Sequence, residues 1–371
     1  MLRILGKKEV KLLMNLPLAL QAVEEAYLQK QSGAGSVWPM VFHEFVPGQA
    51  DLDIKSGNLD QAGVFGLKLV SWFSENPAQG LPALMGTSLL CDRNTGAPTA
   101  LLNAGPITDF RTGAAGAIGA QLLARPESRQ LTMVGCGALA PYLIAATLWA
   151  MPGICRVRLV NPHNPVHAKE RLAAIAERVA ELLHQGRMSA AKEKGLQEQK
   201  QTNPGQYLEE AAETYRLRWK QGVQRTVELT ASVSLEQAIR ESDVILTATP
   251  ARQPLFPAAW VKPGTHISCV GADMNGKQEL DEALLLRARV FGDDLDQCRS
   301  VGECEKAWKS GAFVGPEAEI GAVLAGVHAG RQSAEEITIF DSTGIALQDL
   351  ACGAALLKQA EAENIGFCAE L

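Results

Sequence analysis

Apolar residues fall at helical spacing over residues 7–31, where Pro17 opens a second helix through Leu20, Val23, Ala26 and Tyr27. The period then changes. Residues 37–45, 50–55, 64–73 and 84–102 alternate or run apolar between Gly, Pro and Asn breaks, and Asp92-Arg93-Asn94-Thr95-Gly96 reads as a turn joining two strands. A helix follows, for which Thr108 or Asp109 is the expected cap. Its small residues Gly113, Ala114, Gly116, Ala117 and Gly119 invite close approach of another backbone or a ligand. From 129 to 347 strands and helices alternate, with strands expected at 131–134, 156–160, 244–248, 266–271, 289–292 and 337–340. A closing helix over 346–363 is expected to pack back on the first part of the chain. Residues 184–224 break the alternation, being rich in Lys, Glu and Gln, interrupted by Asn203-Pro204-Gly205, and longer than the usual link between sheet strands. They read as a charged, helical insertion with a solvated face, or as an interface or lid over a cofactor. The fold class expected is α/β: a Rossmann-type doubly wound parallel sheet over 113–345, and a second α+β domain from 1–112 and 346–371.

Within the alternating part, Leu131-Thr132-Met133-Val134-Gly135-Cys136-Gly137-Ala138-Leu139-Ala140 reads as a buried strand entering a glycine turn. Gly135 permits the sharp turn, Gly137 removes the side chain that would keep a pyrophosphate off the backbone, and Ala140 lets the next helix pack on the strand. Pro141 suits a first helical turn, whose free N–H groups would face phosphates. By itself GxGxxA is weak in a chain with 34 glycines among 371 residues, and an ordinary strand–helix turn has the same composition. Context strengthens it, because a second strand, Arg156-Val157-Arg158-Leu159-Val160-Asn161, follows one helix later. The ribose-reading position, about twenty residues past the glycines, falls on Asn161.

Composition narrows the classes. At 371 residues, 47% hydrophobic and 20% charged, the chain suits about two domains of a soluble protein. No run approaches the roughly 18 apolar residues a bilayer needs, and the first residues lack a signal-peptide core, so no membrane association and a cytoplasmic location are expected. A net charge of −6 gives no attraction for nucleic acid. The eight cysteines are scattered without a CxxC, and Cys91, Cys136, Cys155 and Cys269 read as small buried hydrophobes. His163 and His167 have the spacing of a helical metal pair, but no third ligand is evident, and no metal is expected.

Several segments together resemble the ornithine cyclodeaminase/mu-crystallin family. The resemblance is carried by Gly66-Leu67-Lys68-Leu69-Val70, Asn76-Pro77-Ala78-Gln79-Gly80-Leu81-Pro82, Thr108-Asp109-Phe110-Arg111-Thr112, the GxGxxA turn, Gly271-Ala272-Asp273-Met274-Asn275-Gly276-Lys277-Gln278-Glu279-Leu280-Asp281 and Phe340-Asp341-Ser342-Thr343-Gly344. It spans most of the chain apart from the insertion. Members are NAD(P)-dependent homodimers acting on small amino or imino acids. The resemblance implies that Lys68 and Arg111 grip a substrate carboxylate and that Asp273 is the acid/base at the reacting carbon. A carboxylate in a water-poor pocket does need fixed cations, and a proton must move when a hydride does. Read alone, Lys68 is a strand-edge lysine, Arg111 a helix-surface charge and Asp273 a turn former.

For the cofactor, the resemblance places Ala138 and Leu139 at the pyrophosphate turn with Gly135 and Gly137, Thr249 at a strand end, Val270 and Lys277 beside the nicotinamide, and Ser342 in the last βα loop. Thr249 reads equally as a strand-end hydroxyl and Ser342 as a helix cap. NAD-preferring members carry an aspartate where this chain has Asn161, so NADP(H) is favoured and NAD(H) stays open, with Asn161 as a plain turn residue before Pro162 the competing reading. Cyclodeaminases also carry an arginine in an early strand, and Trp38-Pro39-Met40-Val41-Phe42 has none. Lys55 is the nearest strand cation: it either takes over that part of the clamp or is a solvated lysine, and it stands about where cyclodeaminases have a glutamate. The reading is hydride transfer at the α-carbon of a small amino acid or cyclic imine. Its rivals are a redox-neutral cyclodeaminase releasing ammonia and a non-catalytic, crystallin-like binding protein; a homodimer built through the first domain is expected.

Overall fold

Residues 1–193, 208–211, 214–221 and 223–370 are described in a computed structural model. Two compact units emerge, one of Met1–Met14, Leu18–Arg111 and Ile345–Leu371, the other of Asn15–Pro17 and Thr112–Gly344.

The early alternating stretches form strands β1 (Leu2–Leu5), β2 (Gly35–Val37), β3 (Val41–Val46), β4 (Ala50–Leu59), β5 (Val64–Phe73), β6 (Leu84–Asp92) and β7 (Pro98–Asn103). The helical stretch before them forms α1 (Lys7–Leu13) and α2 (Leu16–Gln31). The sheet runs closing strand Phe367–Ala369, β1, β7, β6, β5, β4, β2, with β3 also on β4. Its pairs are antiparallel except β1 with β7. Asp92 Oδ1 shapes the β6–β7 turn by accepting from Asn94 N at 3.0 Å and Thr95 N at 2.8 Å.

Register sorts the side chains into two faces, because residues directly opposite in an antiparallel pair point the same way. Lys55 lies opposite Lys68, and Gly57 opposite Gly66. On that face the closing helix, Ala346–Ala362, lies against the glycines: a Cβ on Gly57 would sit 2.9 Å from Leu347 Cδ2, and one on Gly66 3.1 Å from Leu350 Cδ2. Any side chain there would push the helix off the sheet. The other face carries Val41, Ile54 and Leu69 in one row and Leu52 and Met85 in the next, with Val41, Leu69 and Met85 exposed.

In the second unit ten strands order as β10 (Leu208–Ala211), β11 (Thr214–Gln221), β12 (Val223–Ala231), β9 (Arg156–Val160), β8 (Gln130–Val134), β13 (Val244–Thr247), β14 (His266–Cys269), β17 (Thr338–Asp341), β15 (Arg289–Gly292) and β16 (Ala318–Glu319). From β12 to β16 every pair is parallel. The strand order reverses at β8, which makes this the doubly wound, Rossmann-type sheet expected. The six strands anticipated from periodicity are β8, β9, β13, β14, β15 and β17. Four of them, β8, β13, β14 and β17, are buried along their whole length, as strands covered on both faces are.

Three expectations change. Helix α3 (Ala104–Leu123) begins a turn earlier than read, so Thr108 and Asp109 lie inside it; Asn103 Oδ1 accepts from Gly105 N at 3.3 Å, and Pro106 sits in the first turn. The small face of α3 admits close approach as read: a Cβ on Gly113 would lie 2.7 Å from Tyr142 O in helix α4 (Ala140–Ala150), and one on Gly116 2.7 Å from Leu143 Cδ2. Among its described residues the insertion is helical only at its start, where α5 (Pro165–Glu193) runs on, and the remainder of them form β10, β11 and the beginning of β12. Tyr215, Leu217 and Trp219 alternate with Arg216 and Arg218, a period of two that the high charge obscured. Residues 194–207 of that reading lie outside the described residues. Lastly, Cys155 is exposed, since it precedes β9 rather than lying in it, while Cys91, Cys136 and Cys269 are buried. No helix among the described residues is long and apolar enough to cross a membrane.

Candidate active site

The glycine turn behaves as its residues dictate. Gly135 has φ 113°, and a Cβ there would lie 2.6 Å from Ala248 O, so both conformation and space demand glycine. Around Gly137 nothing lies within 4 Å of where a Cβ would be. Ala138 is exposed, and Leu139, the N-cap of α4, supplies no side-chain hydrogen bond to that helix end. An eleven-residue helix with an uncapped amino end and an open glycine before it has the donors and the room a pyrophosphate requires.

The other candidates of this unit stand at the carboxyl ends of neighbouring strands: Asn161 after β9, Thr249 after β13, Val270 and Asp273 after β14, and Ser342 after β17. Asn161 Oδ1 accepts from His163 N at 3.0 Å and Asn164 N at 2.9 Å, an Asx turn that shapes the loop. Arg158, from the preceding strand, is in an ion pair with Glu241. Asp273 is half-buried, and Lys277 Nζ reaches its Oδ1 at 2.6 Å. Ser342 Oγ donates to Asp293 Oδ2 at 3.3 Å.

In the first unit Lys68 and Arg111 meet on one carboxylate that sequence reasoning missed. Asp349, from the closing helix, lies 2.9 Å from Lys68 Nζ through Oδ2 and 3.5 Å from Arg111 Nε through Oδ1. Gln348 accepts from Arg111 Nη1 at 3.0 Å and donates to the Tyr27 hydroxyl at 2.8 Å, which fixes the guanidinium plane. Lys68 is 2% exposed and Asp349 0%. Burial pulls the Lys68 ammonium down to about 8, helped by the Arg111 and Lys55 cations and opposed by Asp349. Asp349 is held below the usual carboxylate range by Lys68, Arg111 and Lys55 in spite of its burial. Lys55 is buried, opposite Lys68 and on the same face, not solvated. The only hint of Asp349 in the sequence was the polar pair Gln348-Asp349 inside an otherwise apolar helix.

A second group of buried carboxylates was also missed, at the strand ends of the second unit. Glu279 accepts from Thr247 Oγ1 at 2.7 Å, Thr249 N at 2.7 Å, Thr249 Oγ1 at 2.8 Å and Gly271 N at 2.9 Å. Glu303 accepts from Glu279 N at 2.9 Å and Leu280 N at 2.8 Å, and Asp341 from Glu303 N at 3.2 Å and Cys304 N at 3.1 Å. Burial pushes Glu303 well up and Asp341 up to about 7.

A Rossmann-type sheet with an open glycine turn at the head of an uncapped helix defines the class as an α/β protein with a dinucleotide-type fold; its other unit buries two cations on one carboxylate. The chain belongs to the ornithine cyclodeaminase/mu-crystallin family, whose sequence pattern matches residues 3–194 and 206–364. It is 34% identical over 366 residues to an alanine dehydrogenase of Archaeoglobus fulgidus, covering 98% of this chain and 96% of that protein. An archaeal alanine dehydrogenase dimer with bound NAD superposes with a TM-score of 0.79 at 33% identity, over 99% of this chain and 98% of that one. The iminosuccinate reductase of Paracoccus denitrificans in complex with NAD+ superposes with a TM-score of 0.80 at 29% identity, over 100% of this chain and 99% of that one.

Replacing Asp349 with Asn leaves Lys68 and Arg111 buried without their counter-charge, which costs roughly 3–5 kcal/mol of stability. The sign with pH follows from Lys68, whose folded value, already below 10.5, falls further without its partner. The unfolded chain then binds the extra proton, so stability rises as pH climbs towards 10.5. Urea unfolding is expected to place the D349N deficit largest near pH 7 and smaller near pH 9.5; an equal midpoint for both proteins at pH 7 would contradict the pairing.

Proposed function

We propose that this protein is a nicotinamide-dependent amino/imino acid oxidoreductase, transferring hydride at the α-carbon of a small amino acid or cyclic imine. The observation that carries the reading is the buried Lys68–Asp349–Arg111 group. Two cations held in one geometry on a shared carboxylate bind the α-carboxylate of a substrate, Arg111 through its fork and Lys68 as a point charge, with Lys55 adding positive charge on the same face. The relatives named above support it, two of them in complex with NAD or NAD+.

Gly135, Gly137, Ala138 and Leu139 would hold the pyrophosphate, Asn161 the adenosine ribose, and Thr249, Val270, Lys277 and Ser342 the nicotinamide half. The bound nucleotide supplies the hydride acceptor or donor. In oxidation the α C–H pair leaves as hydride, the C–N bond becomes C=N, and Asp273 takes the proton released from nitrogen; reduction returns both. Lys277, 2.6 Å away, keeps the Asp273 carboxyl oriented. A redox step at carbon needs such a group, whereas a binding protein would not.

The cofactor is NADP(H) in preference to NAD(H). Asn161 brings no negative charge against a 2′-phosphate, and with Oδ1 committed to the Asx turn its Nδ2 remains as a donor. Burial pushes the Cys136 thiol beside this turn up to about 11, with the Arg171 guanidinium of α5 opposing it. The protein is also read as a homodimer through the open face of the first sheet, where Val41, Leu69 and Met85 are exposed together.

Three measurements follow. Asp273→Asn should lower turnover by roughly 10²-fold or more with nucleotide binding little changed; cyclic imines with NADPH and amino acids with NADP+, followed at the nicotinamide absorbance beside an ammonia assay, provide the readout, and undiminished turnover removes Asp273 from the chemistry. Titration should find NADPH bound more tightly than NADH, and a tenfold preference for NADH, about 1.4 kcal/mol, refutes the Asn161 reading. Light scattering at micromolar concentration should give twice 39.7 kDa and Leu69→Glu should shift it towards one copy, whereas a stable wild-type monomer sinks the dimer.

A further inference from the structure

We infer that Glu279 is the positioning residue through which Asp273 is held in its working geometry; the inference rests on the reading of Asp273 as the acid/base. Glu279 is fully buried. What it does is join two strand ends. Its Oε1 takes the backbone N–H and hydroxyl of Thr249 after β13, and its Oε2 takes the hydroxyl of Thr247 and the backbone N–H of Gly271 after β14. Gly271 stands two residues before Asp273.

A carboxylate is the only side chain of this size that can accept on both oxygens at once. Hydroxyl donors can rotate away, but the Thr249 and Gly271 N–H groups cannot, and each lies on a different oxygen. An amide at 279 has one acceptor, so it must abandon one of the two strand ends and turn an NH2 towards a buried N–H. The fit is close: a Cβ on Gly271 would lie 2.6 Å from Glu279 Cδ. The carboxylate occupies the hollow that glycine leaves.

Glu279 is in turn fixed from behind. Glu303 accepts the Glu279 amide, and Asp341, at the end of β17, accepts the amides of Glu303 and Cys304. On the other flank of the loop Glu305 accepts from Asn275 Nδ2 at 2.6 Å and Gly276 N at 2.7 Å. The segment bearing Asp273 is therefore pinned at residue 271 by Glu279 and at 275–276 by Glu305, with Asp273 between the two anchors and paired with Lys277. A proton-transfer group set by such anchors loses rate, rather than substrate affinity, when one anchor is released.

The test compares Glu279→Gln, Glu279→Asp and Asp273→Asn in NADPH oxidation by 1-pyrroline-2-carboxylate, together with NADPH affinity and hydrogen exchange of peptides over 247–251 and 269–275. The expected result for Glu279→Gln is a fall in kcat of about 10- to 100-fold with KM and NADPH affinity within about threefold. Its rate–pH profile should also move by about half a unit or more, and exchange should quicken in one of the two peptides. Glu279→Asp, which keeps both acceptors, should recover part of the rate, and it carries the same comparison if the glutamine variant does not fold. A kcat within about threefold of wild type overturns the inference, as does a lower kcat with an unmoved pH profile, which would be the mark of a merely structural residue. If Asp273→Asn is inactive while Glu279→Gln is normal, only the positioning role fails; if Asp273→Asn is fully active, the acid/base reading fails with it.

Discussion

A carboxylate taken out of water is tolerated only where cations or several N–H and O–H donors surround it, since an isolated buried charge costs several kcal/mol. Both units are organised by that constraint. In the first, Asp349 draws Lys68 from β5 and Arg111 from α3 onto the closing helix, so a segment from the far end of the chain becomes part of this cationic cluster. In the second, Glu279, Glu303 and Asp341 hand backbone N–H groups from one strand end to the next. The carboxylates fasten the loops that the strands deliver, and their requirement for donors makes each fastening specific.

The two uses differ in kind. Around Asp349 the partners are cations, and Lys68, pulled down to about 8 and 2% exposed, sits in a field where a further anion lowers the energy. Around Glu279 the partners are neutral donors, two of them main-chain, and the outcome is geometry rather than potential. The first arrangement supplies the fixed cations that recognition of a carboxylate needs. The second supplies the fixed geometry that proton transfer needs, because transfer depends on distance more steeply than binding does.

Glycines complete the scheme where a side chain would block an approach. Gly57 and Gly66 admit the closing helix, Gly113 admits α4, and Gly271 admits the Glu279 carboxyl. Gly137 differs in having nothing beside it, which suits contact with something other than the chain itself.

Much of this was legible in the residues alone. The strands of the parallel sheet fall on short segments rich in β-branched and aliphatic residues, the GxGxxA turn sits on the first of them, and Lys68, Arg111 and Asp273 stand out by family resemblance. Local signals failed where charge masked period, as in β11, and where an earlier cap preceded the expected one, as at Asn103. Hydrophobic period and turn chemistry are properties of neighbouring residues, so a single stretch determines them. Asp349 lies 281 residues from Lys68, and only the register that sets Lys55 opposite Lys68, with two glycines letting the closing helix down onto that face, brings the carboxylate to the cations. Which charges neutralise one another depends on that packing, because an ion pair is a matter of a few ångströms in space and leaves no periodic trace along the chain.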